Sequence, residues 1–418
     1  MSAAWDVGTE PGAVAAACKA TTLFEWVAQD GYQPLEIVSA EGSAFRTADG
    51  RRVLDFASQL VVTNLGHSLE PIHRRVYEAS RELSYVTPLA ATRQRAELGA
   101  RLTAFLPDHL TKVFLSTSGT EANNDAIRIA RAVTGRQHIL YRGRSYHGSQ
   151  GPAAMSSDDD RRRLWEQEPT YSVPFRAGSG VVRDDVAAFR WAVEALAPRG
   201  IAAAVVEAVP GGSGVLVPAD GYLDGVAEVC REHGILLICD EVLTGFGRTG
   251  RRFAFEHWDL RPDLVTVGKA LSAGVAPIAA VAVSAEIAAR FDDTPFGSGH
   301  TFSGHPLTAV AASAALEEYE RTGAVERAAK LGDVLGRALH DIADRADAVA
   351  EARSIGLLGA LELTDAEAPR LRHWHQRLLD AGVFVIAKGA NLIVAPPLVI
   401  DNGELDEGLA VTARVLAG

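Results

Sequence analysis

Five short, nearly unbroken apolar runs lie in the middle of this 418-residue chain, at 112–116, 202–207, 235–240, 264–268 and 278–283. Helix-patterned stretches, such as 187–196 and 221–233, separate several of them. A strand with one wet face alternates polar and apolar residues, so a continuous apolar strand must be covered on both faces. The pattern predicts an α/β fold whose mainly parallel central sheet is sandwiched between helices. In such sheets the chemistry collects at the carboxyl ends of the strands. The two ends of the chain read differently. Residues 37–54 resemble a hairpin with a turn at Asp49-Gly50. Amphipathic helices are expected at 308–322 and 325–343, followed by a strand-rich segment at 352–396. A chain of this length exceeds one small core. Residues 56–305 are therefore expected to form a large domain, and 1–55 with 306–418 a smaller α+β domain built from both ends.

Two of the runs end on charge. The run from Ile235 closes on Asp240 and Glu241, and the run from Leu264 closes on Gly268 and Lys269. A carboxylate and an amine at the ends of buried strands are costly unless each finds a partner. Pyridoxal 5′-phosphate satisfies both: its aldehyde forms a Schiff base with a lysine, and its protonated ring nitrogen pairs with an aspartate. Glu207 sits at a third strand end.

Composition narrows the field further. A formal charge of -12 argues against nucleic-acid or anionic-membrane partners. The one dense basic cluster, Arg161-Arg162-Arg163, directly follows three aspartates and reads as a solvated loop. Cys18, Cys230 and Cys239 have no metal-ligand spacing, so no metal is expected and a reduced, cytoplasmic setting fits. The apolar stretch 264–283 carries Lys269, several glycines and Pro277, which a membrane span would not tolerate.

Three further segments suit the same cofactor, although each has a plainer reading. In Ser116-Thr117-Ser118-Gly119-Thr120-Glu121, small hydroxyl residues and a glycine open a helix, where backbone N–H groups and the helix dipole favour an anion. The same residues also make an ordinary N-cap box. Tyr146, in Arg144-Ser145-Tyr146-His147-Gly148, offers a ring to stack on a pyridine, or is simply core. The stretch from Gly299 to Pro306 carries two hydroxyls, Thr301 and Ser303, suited to a phosphate oxygen, or is a loop.

Taken together, these segments resemble the class III aminotransferases, the branch of fold-type I pyridoxal-phosphate enzymes that includes the ω-aminotransferases. The resemblance runs from about Pro34 to Leu409 and is sharpest from Asp240 through Phe246-Gly247-Arg248-Thr249-Gly250, then at Gly268-Lys269. It implies that Lys269 forms the Schiff base and then shuttles the substrate proton, and that Asp240 keeps the ring nitrogen protonated. It implies that Tyr146 and Val242 flank the ring, and that Gly119 and Thr120, with Ser118, hold the phosphate. Thr301 would reach the phosphate of a neighbouring subunit, making a homodimer the working unit. Glu207 matches an acidic position near the ring, although the family more often places a proline after it.

The sequence departs from that pattern where a substrate would bind. Ile386 stands where many ω-aminotransferases have a mobile arginine, with Lys388 two residues on, and a lysine lacks the bidentate fork. Leu60 and Val61 replace a common pocket tryptophan, and Leu243 replaces a frequent glutamine. The resemblance implies ping-pong amino transfer from a primary amine or ω-amino acid to a keto acid. An aminomutase, racemase or decarboxylase would use the same motifs, and a non-catalytic pyridoxal-binding module is the rival of another class.

Overall fold

The computed structural model describes residues 7–8, 10–158, 172–175 and 182–418, so the Arg161-Arg162-Arg163 cluster lies outside the described residues. Near the amino end, β1 (Ile37–Glu41), β2 (Ala44–Thr47) and β3 (Arg52–Asp55) form an antiparallel meander. The sequence predicted one hairpin here; the structure has two turns. Gly42 and Gly50, both at positive φ, make the backbone reversals that Cβ-bearing residues resist.

The central sheet contains β4 (Leu110–Ser116), β5 (His138–Arg142), β6 (Ser172–Phe175), β7 (Ile201–Val206), β8 (Leu236–Asp240), β9 (Leu264–Val267) and β10 (Ala279–Ser284). Their order is β4-β10-β9-β8-β7-β5-β6. Neighbours from β9 through β6 are parallel. Only β10 runs against both its neighbours. Strand β4 therefore points the same way as β9, and one edge of the sheet receives Ser116, Asp240, Val206 and Val267 as strand ends. Both faces are covered, as continuous apolar runs require. Ile238 packs with Ala122, Ala126 and Ile129 of the helix Gly119–Thr134 on one face. Leu237 and Cys239 join the main cluster on the other face. Burying each large aliphatic side chain contributes about 1.5–3 kcal/mol relative to leaving it exposed.

The carboxyl end adds helices Pro306–Thr322 and Ala324–Arg345. Beyond them come β11 (Val349–Ile355), β12 (Leu358–Leu363), β13 (Val383–Phe384), β14 (Ile386–Lys388) and β15 (Asn391–Val394), in the sheet order β11-β12-β15-β14. The helix Leu371–Asp380 interrupts this segment, which the sequence read as strand-rich throughout. Strand β13 leaves its sequence neighbours and pairs in parallel with β3, which brings the two ends of the chain together. Among the described residues no helix is long and apolar enough to cross a membrane.

Candidate active site

Asp240 closes β8 almost fully buried, and three N–H groups donate to its carboxylate while a hydroxyl lies near it. Asn123 Nδ2 at 2.8 Å and His147 Nδ1 at 2.7 Å reach Oδ2, while the Val242 amide at 3.0 Å and Thr266 Oγ1 at 3.3 Å reach Oδ1. Asn123 is further fixed by Thr266 Oγ1, which donates to its Oδ1, and by its own bond to the His147 carbonyl. The aspartate is thus held in one orientation by a saturated buried network. His147 Nε2, also buried, has no hydrogen-bond partner among the described residues. Burial pulls the His147 imidazole down. The hydrogen bond and charge of Asp240, with the charge of Glu207, outweigh that, so its pKa is raised.

Lys269 follows β9 on the neighbouring strand, half-buried, at the strained backbone angle φ 40°. Burial holds its ammonium below the usual lysine range, and the positive charge of Lys388 adds to this, while Asp240 and Glu207 oppose it. An amine made easier to deprotonate is a better base near neutral pH. Glu207, past the end of β7, is buried, and burial and the charge of Asp240 raise its pKa. Its Oε1 accepts the Tyr146 amide at 2.9 Å, which fixes the loop carrying the tyrosine. Glu241, beside Asp240 in sequence, points elsewhere. It accepts from Thr244 Oγ1 and from the Ala254 and Phe255 amides, and burial pushes it up to about 7. It braces the loop after β8.

The helix Gly119–Thr134 starts beside this group. Ser118 is its N-cap, its Oγ accepting the Glu121 amide at 3.2 Å. The Glu121 carboxylate takes the Thr117 amide and hydroxyl, so the helix start has an N-cap at Ser118 but its carboxylate reaches back one residue beyond the cap. A cap does not preclude an anion at the same helix start. A Cβ on Gly119 would stand 2.8 Å from Val242 Cγ1, and one on Gly268 would stand 3.5 Å from it. Val242 is therefore wedged between the helix start and the residue before Lys269.

The remaining sequence candidates divide. Lys388 Nζ lies 5.5 Å from the Tyr146 ring centroid, which brings it to the group. Ile386, two residues back along β14, is half-buried. Leu60 is exposed, whereas Val61 is 1% exposed and packs in the main core. Thr301 is exposed and its carbonyl accepts from Tyr85 Oη at 2.9 Å. Sequence reasoning passed over Asn123, Thr266 and the bond from His147 to Asp240. Asn123 lies one helical turn after Gly119, and that spacing is the signal that could have found it.

The Aminotransferase class-III family model matches residues 27–416. An acetylornithine aminotransferase of Methanothermobacter thermautotrophicus is 32% identical over 390 residues, covering 92% of this chain and 94% of that protein. A leucine/methionine racemase of Thermococcus litoralis is 31% identical, covering 94% of this chain and 93% of that protein. The solved structure of a taurine:2-oxoglutarate aminotransferase from Bifidobacterium kashiwanohense, in complex with PLP and glutamate, superposes with a TM-score of 0.93. It is 30% identical and covers 97% of both chains. A family match spanning nearly the whole sequence, on a fold whose strand ends converge on one polar cluster, makes this chain a member of the class III aminotransferases.

Proposed function

We propose that the protein binds pyridoxal 5′-phosphate and moves an amino group from a primary amine or ω-amino acid to a keto acid in two half-reactions. The observation carrying this reading is the pairing of Asp240 and Lys269 on adjacent strand ends, one a braced buried carboxylate, the other an amine with a lowered pKa. The residues fit the group: the carboxylate of Asp240 is buried and braced, His147 Nε2 beside it is buried with no partner among the described residues, and Gly119 opens a helix with no room for a Cβ against Val242. Lys269 and Asp240 would hold its aldehyde and ring nitrogen. Tyr146 and Val242 would flank the ring, with Glu207 beside it, and Gly119, Thr120 and Ser118 would hold the phosphate. When bound, the cofactor supplies an electron sink for the substrate carbanion.

The chain's own residues do the rest. Lys269 Nζ would take the proton from the amine-bearing carbon of the substrate as a general base and, as the acid, give it to the carbon on the far side of the nitrogen. Asp240 would keep a fixed negative charge opposite the ring nitrogen, and its three N–H donors would stop it from turning away. Such a charge-assisted bond is worth on the order of 1.5–3 kcal/mol. Glu207 holds the Tyr146 loop in place. Exposed Thr301 would serve the site of a second copy, which fits a homodimer. We read residues 56–305 as the large domain, the two chain ends as the smaller one, and the cytoplasm as the location.

Kinship with a leucine/methionine racemase supports a second reading, in which the proton returns to the same carbon and no amino group leaves. One experiment separates the two. The cofactor absorbance of purified protein is followed while amines are added, then keto acids. A donor that converts the spectrum and an acceptor that restores it establish amino transfer. Racemised substrate with no net transfer would overturn the first reading.

A further inference from the structure

Asp125 is a buried carboxyl group that the proposed chemistry leaves unused. It sits in the helix Gly119–Thr134, 1% exposed, and three side chains donate to it. Ser116 Oγ, at the end of β4, reaches Oδ2 at 2.8 Å. The other two donors come from one loop: Ser298 Oγ reaches Oδ1 at 2.6 Å, and His300 Nε2 reaches Oδ2 at 2.9 Å. A buried carboxyl group is tolerated where its oxygens find donors. Here the loop supplies two of the three, so lifting it strips the acid of most of its partners.

The helix meets this loop along one face. Glu121, Asp125 and Arg128 follow at intervals of four and three residues, the spacing that stacks side chains on one side of a helix. His300 Nδ1 lies 3.7 Å from Glu121 Oε1, and Arg128 Nη1 donates to Ser298 Oγ at 3.3 Å. Phe296, just before the loop, packs edge-on against Phe114 of β4 with ring centroids 4.9 Å apart. On the far side, Tyr85 Oη donates to the Thr301 carbonyl at 2.9 Å, and Arg95 Nε to the Gly304 carbonyl at 2.6 Å. The loop is thus fastened at both ends, and Thr301 between them is left exposed. Asn123, which braces Asp240, lies about 200° around the same helix from Asp125. One face of the helix serves the protomer's own site, and another holds the loop.

We infer that Asp125 is a positioning residue for the site of the second copy. Through Ser298 and His300 it fixes the loop in the shape that presents Thr301 to a phosphate bound there. The inference rests on the proposed function, which gives Thr301 that phosphate.

The test uses the purified full chain, freed of cofactor, as wild type, Asp125→Ala, Asp125→Asn, His300→Ala and Thr301→Ala. Amide exchange reports on the loop, and absorbance titrations compare pyridoxal 5′-phosphate with pyridoxal, which lacks the phosphate. Asp125→Ala and His300→Ala are expected to speed exchange at 298–304 by about tenfold and to leave 127–134 unchanged. Both should weaken pyridoxal 5′-phosphate by roughly five- to tenfold and pyridoxal by less than about twofold. Asp125→Asn should recover most of the loss, because serine and histidine can each donate to or accept from an amide. Added to Thr301→Ala, Asp125→Ala should cost less than about a further twofold, since both act through one contact. Unaltered exchange at 298–304, equal weakening of the two ligands, or losses that add in the double variant would each overturn the assignment. A wild-type chain that binds no pyridoxal 5′-phosphate defeats the proposed function and the phosphate half of the inference together, while exchange at 298–304 still decides whether Asp125 holds the loop.

Discussion

His147 Nδ1 lies 2.7 Å from Asp240 Oδ2, and the opposite ring nitrogen is buried with no hydrogen-bond partner among the described residues. The imidazole and the carboxylate come from different segments and share no solvent. Their contact links the loop after β5 to the end of β8.

This contact carries a pH dependence with a definite sign. The unfolded imidazole titrates near 6.5, and the folded one higher. The native state therefore holds more protons across the interval between them. Its contribution to stability is complete below about pH 6.5 and is lost as pH rises through the folded value. Urea midpoints of cofactor-free protein should fall across that window. In His147→Asn, whose amide can still donate to Asp240, this part of the slope should vanish. A variant with the wild-type slope would show that the histidine is not the titrating group.

Lys269→Ala should remove covalent cofactor attachment, read as a borohydride-stable adduct on the peptide containing residue 269. It should also lower turnover by roughly a thousandfold or more, as expected for loss of a general base. Asp240→Asn keeps the size of the side chain but removes its charge and sets an amide against three N–H donors. It should retain some cofactor and lose most of the rate. Near-normal amino transfer by either variant contradicts the roles proposed for them.

Gly119→Ala tests the close approach at the helix start. The new methyl would sit 2.8 Å from Val242 Cγ1, which something must yield to accommodate. Overpacking of this kind costs about 1–3 kcal/mol. Because Val242 also abuts Gly268, the strain should reach the Lys269 segment and weaken cofactor retention. Val242→Ala in the same chain should relieve most of the cost. If the double variant is no better than the single one, the wedge between helix and lysine is not what requires the glycine.

Asp240 and Lys269 were legible in the sequence because each is a charge at the end of an apolar run, and β7, β8 and β9 because those runs are continuous. Strands β5 and β6 were not. Polar His138 and Arg142 bound β5, and β6 contains Pro174, which an edge strand tolerates because one side of its backbone faces no other strand among the described residues. The network around Asp240 was hidden for another reason: Asn123, His147 and Thr266 reach it from three separate elements, and only Asn123, one turn after Gly119, leaves a trace in local spacing. Glu241 shows the converse. It looks like a second catalytic carboxylate in sequence, and packing turns it to three donors in the following loop. The Phe246-Gly247-Arg248 motif was visible as a motif, but its partners were not.

Those partners make Arg248 the most informative structural substitution. Its guanidinium is fully buried and reaches the Leu357 carbonyl at 2.8 Å, the Pro396 carbonyl at 2.6 Å, Ser58 Oγ at 3.1 Å and Asn64 Oδ1 at 2.6 Å. Burial lowers its pKa to about 10, a sign of how little water reaches it. Two of its acceptors, Ser58 and Asn64, bracket a segment in which Ser58, Gln59 and Val61 all hold positive φ, at 44°, 58° and 58°. Non-glycine residues keep such angles only where their surroundings force them. Arg248→Ala leaves four acceptors without their donor and releases that segment. It should cost about 3–5 kcal/mol in urea unfolding and should speed amide exchange at 57–65. Arg248→Lys keeps the charge but lacks the planar fork, so it should recover only part of the loss. If Arg248→Ala unfolds within about 1 kcal/mol of wild type and exchange at 57–65 is unchanged, the strained turn is held instead by Asp55, whose carboxylate accepts the Ala57 amide at 3.2 Å and the Gln59 amide at 3.0 Å.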